Sequence, residues 1–235
     1  NKINRIWSFY SFCIAIWGFS ALKISTITNI DDAFLWWRIA FIGILFLPAS
    51  FYHFVSHFLQ KNSPIIITFS YISAFILLLF NLINSSLFLG KLSFMFNEFY
   101  WVDQPGPFLN IFTIIFVFGL ISYTYYLLFS SFVKTQNYTK RMQIIYFIIA
   151  SLPGWIGGFF CFMINYGLNV YPYGAFGAVI YPFIMGYAIL HHQLFDIKII
   201  IQKTLIYSIL ISIITTGYFL LVYLFEKIFS TIAGY

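Results

Sequence analysis

Seven long apolar runs dominate this chain, at roughly 6–22, 34–59, 65–89, 108–133, 142–163, 173–190 and 204–225. Each is long enough to cross about 30 Å of hydrocarbon as a helix. None shows the strict alternation over about ten residues that a barrel strand needs. In lipid the backbone must satisfy its own hydrogen bonds, which a helix does within one segment. The predicted fold is therefore all-α, a polytopic transmembrane helix bundle with about seven spans. Composition agrees. Charged residues make up 8% of the chain and hydrophobic residues 62%, whereas a soluble domain carries about 25% charge. Most of the surface must face the bilayer, the first expected partner. Pro48, Pro153 and Pro182 fall within or at the edge of runs, where each removes a backbone donor and predicts a kink. Cys13 and Cys161 sit in apolar runs and read as buried free thiols.

Orientation follows from the basic residues of the short loops. Lys2, Arg5, Lys61, Lys134, Lys140, Arg141, Lys198 and Lys203 share one side; Lys23, Arg38, Lys91 and Lys227 share the other. The richer side is expected to be cytoplasmic. This predicts a multi-pass plasma-membrane protein with Asn1 inside and Tyr235 outside. The net charge of +6 is spread over loops as topology requires, so nucleic acid is not an expected partner. The chain begins at Asn1 without Met and stops just past the last run; both ends read as cut.

Several constellations stand out, each with a plain structural alternative. Trp36-Trp37-Arg38 places a cation about one turn inside the outer end of the second run. It is either an interfacial anchor paired with Asp31, Asp32, Glu98 or Asp103, or a ligand-facing cation flanked by indoles. The outer loop at 90–107 carries Glu98, Tyr100 and Trp101; these either lie flat on headgroups or cap a pocket in the outer half of the bundle. Trp36, Trp37, Arg38, Glu98, Tyr100 and Trp101 are thus the candidate ligand-binding residues. His53 and His57 share a helix face, yet no acidic residue stands near them in sequence, and they read as interfacial rather than metal-binding. Gly154 and Gly158 form a small-xxx-small pair suited to close helix packing, with Gly174, Gly177 and Ala178 as a complementary surface.

No Asp or Glu lies inside a run, no Lys lies mid-span, and no phosphate-cradling glycine loop is present. The chain is expected not to be an enzyme, with no cofactor and no metal. The segment at 171–203 is the candidate signalling junction. Its run is broken by Pro182 and Gly186, turns at Leu194-Phe195-Asp196, and enters a further helix that Asp196 is placed to cap.

These pieces, in order, resemble the N-terminal seven-transmembrane sensory region of bacterial histidine kinases and related signalling proteins. The resemblance rests on Asn4-Arg5 ahead of Trp17, on Phe34 through Ile39 with Gly43, Pro48, His53 and Phe54, on Arg141-Met142-Gln143 leading to Gly154–Gly158, and on Tyr171-Pro172, Gly174, Tyr181, Tyr187-Ala188-Ile189 and Leu194 through Ile197. It implies a sensory region at 1–197 that lacks its first span, followed at 198–235 by an additional amphipathic-to-transmembrane helix, as in a longer variant of the family. It also implies a small-molecule, lipid or peptide ligand, a cytoplasmic output such as a histidine kinase, and a homodimer formed through that output. The alternative is a small transporter or channel, whose polar path would draw on Asn81, Asn84, Ser122, Thr124, Ser151 and Asn165.

Overall fold

The computed structural model describes residues 2–83, 86–168 and 170–192, together with 210, 211, 214 and 215. Contacts divide the chain into one unit ending at Tyr187 and a second from Ala188 to Tyr235. In the second unit the described residues are helical. Leu194, Phe195 and Asp196, and nearly all of the run at 204–225, lie outside the described residues.

Helices α1 (Lys2–Ile24), α2 (Ile30–Ile44) and α3 (Leu47–Phe58) come first. Asn29 caps α2 by accepting the Asp31 N–H at 2.9 Å, and Asp31 and Asp32 suit the positive end of the helix dipole. The second apolar run is split at Leu45–Phe46. Pro48 lies in the first turn of α3, where its missing N–H costs no helical bond. Helix α4 (Pro64–Ile83) buries a narrow stripe, Ser70, Ala74, Leu77 and Asn81, at helical spacing. Its other faces are apolar and open, with Ile65 81% exposed, as a lipid-facing surface must be.

Strands β1 (Lys91–Met95) and β2 (Phe99–Gln104) follow, paired antiparallel with Met95 opposite Phe99 and Leu92 opposite Val102. This hairpin adds a small sheet to the predicted helical bundle. Phe96 and Asn97 turn it with φ of 56° and 57°. Asn tolerates that region, whereas a bulky aromatic does not. The Phe96 ring packs 5.2 Å from Tyr171 and 5.8 Å from Phe99, contacts that offset the strain.

Helices α5 (Pro107–Phe112) and α6 (Ile121–Lys134) are joined through a π-helical stretch, Thr113–Leu120, into one continuous segment. The Thr113 and Thr124 hydroxyls return to carbonyls four residues earlier, at 2.8 and 2.7 Å. Helix α7 (Tyr138–Ile164) contains Pro153; a 3₁₀ turn at Tyr173–Phe176 then leads into α8 (Gly177–His192), which contains Pro182.

Five of the described helical segments are long and apolar enough to cross a bilayer: Lys2–Ile24, Ile30–Phe58, Pro64–Ile83, Pro107–Lys134 and Tyr138–Ile164. The sixth predicted run opens with the 3₁₀ turn and continues into α8, which is described as far as His192. These five spans alternate in direction, as Trp7 against Phe54, Asn81 against Arg38, Phe80 against Phe108 and Phe118 against Phe159 require. One end of the bundle carries the hairpin, the other the loops at 59–63 and 135–137. Large side chains form a cluster near each end. At the hairpin end Trp37, Phe41, Phe88, Phe112 and Phe116 pack with Leu92 and Val102 of the strands. Toward the far end Trp7, Tyr10, Phe51, Phe54 and Phe147 pack ring on ring, with Phe54 and Phe147 stacked at 5.1 Å. There Lys140 Nζ donates to the Phe58 carbonyl at 2.7 Å and lies 3.7 Å from that ring.

Candidate functional site

Among the described residues, three side-chain bonds tie the hairpin to the rest of the bundle, each reaching a different segment. The Trp37 indole of α2 donates to the Tyr100 carbonyl at 3.0 Å. The Trp101 indole of β2 donates to Asn165 Oδ1, just past α7, at 2.8 Å. The Tyr171 hydroxyl donates to Glu98 Oε2 at 2.7 Å. Trp37 and Trp101 also meet edge to face, with centroids 4.9 Å apart, a geometry that aligns the positive ring edge with the negative ring face.

Below this cover lies a pocket of about 320 Å³. Trp17 and Ile24 of α1, Trp37 and Phe41 of α2, Cys161 and Phe162 of α7, and Ala175 and Phe176 of the 3₁₀ turn all line it, beside Phe99 and Trp101 of the hairpin. Its volume falls within the range of small-molecule sites, and its apolar wall with a few fixed polar groups has their usual character. The bonds of both indoles are spent on protein acceptors, so what these rings offer a ligand is apolar surface.

The turn that walls the pocket also fits tightly against α7. A Cβ at Gly157 would collide with the Gly174 backbone, one at Gly174 would meet the Gly157 backbone, and one at Gly177 would strike the Pro153 carbonyl. Pro153 cannot donate to the carbonyl four residues before it, which loosens α7 where this contact forms.

A family model for the N-terminal 7TM region of histidine kinase matches residues 3–198. The chain belongs to this family. No curated protein and no solved structure matches it.

Not every residue that the sequence singles out in this 7TM region meets at the pocket. Trp37 and Trp101 line it; Glu98 and Tyr100 act one step away, through Tyr171 and through a backbone carbonyl. Trp36 turns to Phe19 and lies 6.0 Å from Lys23 Nζ. Arg38 is half-buried and does not line the pocket. Its carbonyl accepts from Asn81 Nδ2 at 3.0 Å, and its buried Nε has no hydrogen-bond partner among the described residues. Asp31 and Asp32 serve the start of α2, and Asp103 accepts from the Ser93 hydroxyl at 2.8 Å. We expect Arg38→Met to change stability by less than about 1 kcal/mol, since no partner is lost, and to leave pocket binding unchanged; thermal unfolding of the purified region checks the first and probe titration the second.

The packing pair is displaced by one residue from the sequence pattern. A Cβ at Gly154 would come into ordinary contact with Ala178, at 3.7 Å, but one at Gly158 would meet nothing within 4 Å. Gly157 makes the close approach, toward the complementary surface that the sequence suggested. The His53 and His57 rings meet at a tilt with centroids 5.1 Å apart, and His53 Nδ1 lies 3.2 Å from the Tyr71 hydroxyl of α4. Pro182 and Gly186 both lie inside α8. Cys13 and Cys161 are buried and unpaired.

The hydrogen bond to Glu98 holds the Tyr171 phenol above its ordinary value, with desolvation adding to it. A raised folded-state value means that the tether contributes fully below the usual tyrosine range, near pH 10, and is lost as pH rises through the folded value. Protease cleavage in the hairpin is expected to accelerate on that alkaline side, and Tyr171→Phe is expected to remove the pH step.

Proposed function

We propose that the chain is the sensory part of a membrane receptor. An apolar ligand enters the pocket beneath the hairpin on the extracytoplasmic side, and its occupancy is passed along α8 to a cytoplasmic output of the histidine-kinase kind. One observation carries this reading. The turn at Tyr171–Gly177 lines the pocket through Pro172, Ala175 and Phe176 and grips α7 through Gly174 and Gly177. A ligand that pushes on the turn therefore pushes on the start of α8. Pro182 and Gly186 further along α8 give that displacement a place to bend, and Leu194, Phe195 and Asp196 would receive it. Among the described residues the basic side chains support the orientation: Lys2, Arg5, Lys61, Lys134, Lys140 and Arg141 belong to the far end, and Lys23, Arg38 and Lys91 to the hairpin end.

Of the polar residues that a transport path would need, Asn84 lies outside the described residues, and the others are engaged singly or face outward. Asn81 serves the Arg38 carbonyl, Thr124 its own helix, Ser151 the Tyr125 hydroxyl and Asn165 the Trp101 indole, while Ser122 faces outward.

A ligand switches such a bundle only through different affinities for its two states. Filling the pocket should mimic that. In the intact receptor, Ala175→Trp is expected to change autophosphorylation by at least about fivefold, the lower end of usual coupling, with membrane insertion retained. Unchanged output in an inserted, folded variant would contradict the proposal.

A further inference from the structure

A second chamber, of about 110 Å³, lies deeper in the bundle and shares Trp17, Ile44, Cys161 and Phe162 with the pocket beneath the hairpin. Its wall is apolar apart from a few side chains, and two of these are unsatisfied. Tyr181 of α8 is only 8% exposed, yet its buried hydroxyl has no hydrogen-bond partner among the described residues. The same holds for the buried Nε1 of Trp155 on α7. The Tyr10 hydroxyl neighbours that indole, but no hydrogen bond of proper geometry joins them. Ser151, on the same wall, is satisfied: it donates to the Phe147 carbonyl at 2.8 Å and accepts from Tyr125 at 3.0 Å.

Buried polar groups nearly always have partners, and the exceptions call for a reason. An indole N–H can only donate, and a phenol hydroxyl has one proton to give. Two donors on neighbouring helices, opening on one apolar chamber, are complementary to a single acceptor oxygen. We infer that the deep chamber receives the acceptor end of a small apolar ligand (a ketone, ester or un-ionised carboxyl oxygen) held by Tyr181 and Trp155, with the hydrocarbon body lying in the pocket above. This rests on the reading of that pocket as the sensing site and adds the chemistry of its ligand. It also places the polar contact beside the proline of α8. Tyr181 immediately precedes Pro182, which cannot donate to the Ala178 carbonyl, and Ala178 lines the same chamber.

The test uses the chain in discs of ether-linked phosphatidylcholine, which has no ester carbonyls, with ¹⁵N-labelled indoles and Trp155 assigned through Trp155→Phe. The probes are 2-nonanone and nonane, matched in length and differing in the acceptor. The ketone is expected to move the Trp155 indole proton downfield in a saturable way, and Tyr181→Phe to weaken it about tenfold, while nonane leaves that proton in place. If Tyr181→Phe does not fold, the ketone-against-nonane comparison decides alone. The same downfield position in ester-linked discs before any ketone is added would support the inference and identify a lipid acyl ester as the acceptor. Equal saturable responses to both probes would overturn the acceptor contact and leave the sensing pocket standing. A response that never saturates, or none to either probe, would overturn both.

Discussion

Gly157→Ala is expected to destabilise the bundle by about 2 kcal/mol, within the usual range for overpacking, although it adds one methyl group. That methyl would occupy the place of the Gly174 backbone. Backbone cannot rotate aside as a side chain can, so α7 and the turn before α8 must separate. For a chain of this size the midpoint of thermal unfolding should fall by about 4 to 8 °C. Gly158→Ala is the control, since its Cβ meets nothing within 4 Å. It should be neutral or stabilise by up to about 1 kcal/mol, because alanine loses less backbone freedom in a helix. Scanning fluorimetry of both variants in one detergent checks the pair. Equal effects would show that α7 meets the turn through a different face.

Trp37→Ala should be the most damaging single change at the pocket, costing about 3 to 5 kcal/mol as large aromatic truncations do. Trp37 is 6% exposed, packs on Phe41 and Trp101, and holds the hairpin through the Tyr100 carbonyl. Trp37→Phe separates these roles. It keeps a ring and loses the bond, so it should cost about 1 kcal/mol and loosen the hairpin more than the helices. Unfolding midpoints rank the two variants, and protease cleavage between β1 and β2 reports the hairpin. A tight hairpin in Trp37→Phe would move the tether to Trp101 and Tyr171.

The bundle was legible in the sequence because hydrophobic length and low charge leave few alternatives for a chain in lipid. The caps were less so: Asn29 and Asn137 mark helix starts only once the helices are known. The hairpin was hidden. Its strands have five and six residues, its turn uses Phe96-Asn97 where glycine would have been a signal, and its aromatics fit a headgroup-facing loop equally well. Asn97, followed by a second aromatic run, was the available clue. Trp37 and Trp101 stood among the candidate pocket residues, but an indole at a membrane edge serves equally well as an interfacial anchor, and only the packing separates the two roles. Arg38 was misleading. Its charge is conspicuous in an apolar run, but a helix sends adjacent residues to different faces: Trp37 lines the pocket and Arg38 does not, only its backbone carbonyl meeting Asn81. Gly157 was overlooked for a similar reason: the small-xxx-small pattern selects spacing, and the contact depends on which face of α7 the turn approaches.

Filling the pocket beneath the hairpin is expected to shift α8. Spin labels at Tyr126 on α6 and Phe183 on α8, both exposed at 63% and 74%, can report it in a Cys13→Ala, Cys161→Ala background. Electron–electron distance distributions would be compared between the open pocket and the Ala175→Trp filled pocket in the same lipid discs. The account predicts that the filled pocket moves the distribution or redistributes it between two populations. Superimposable distributions, from variants with equal unfolding midpoints, would contradict it.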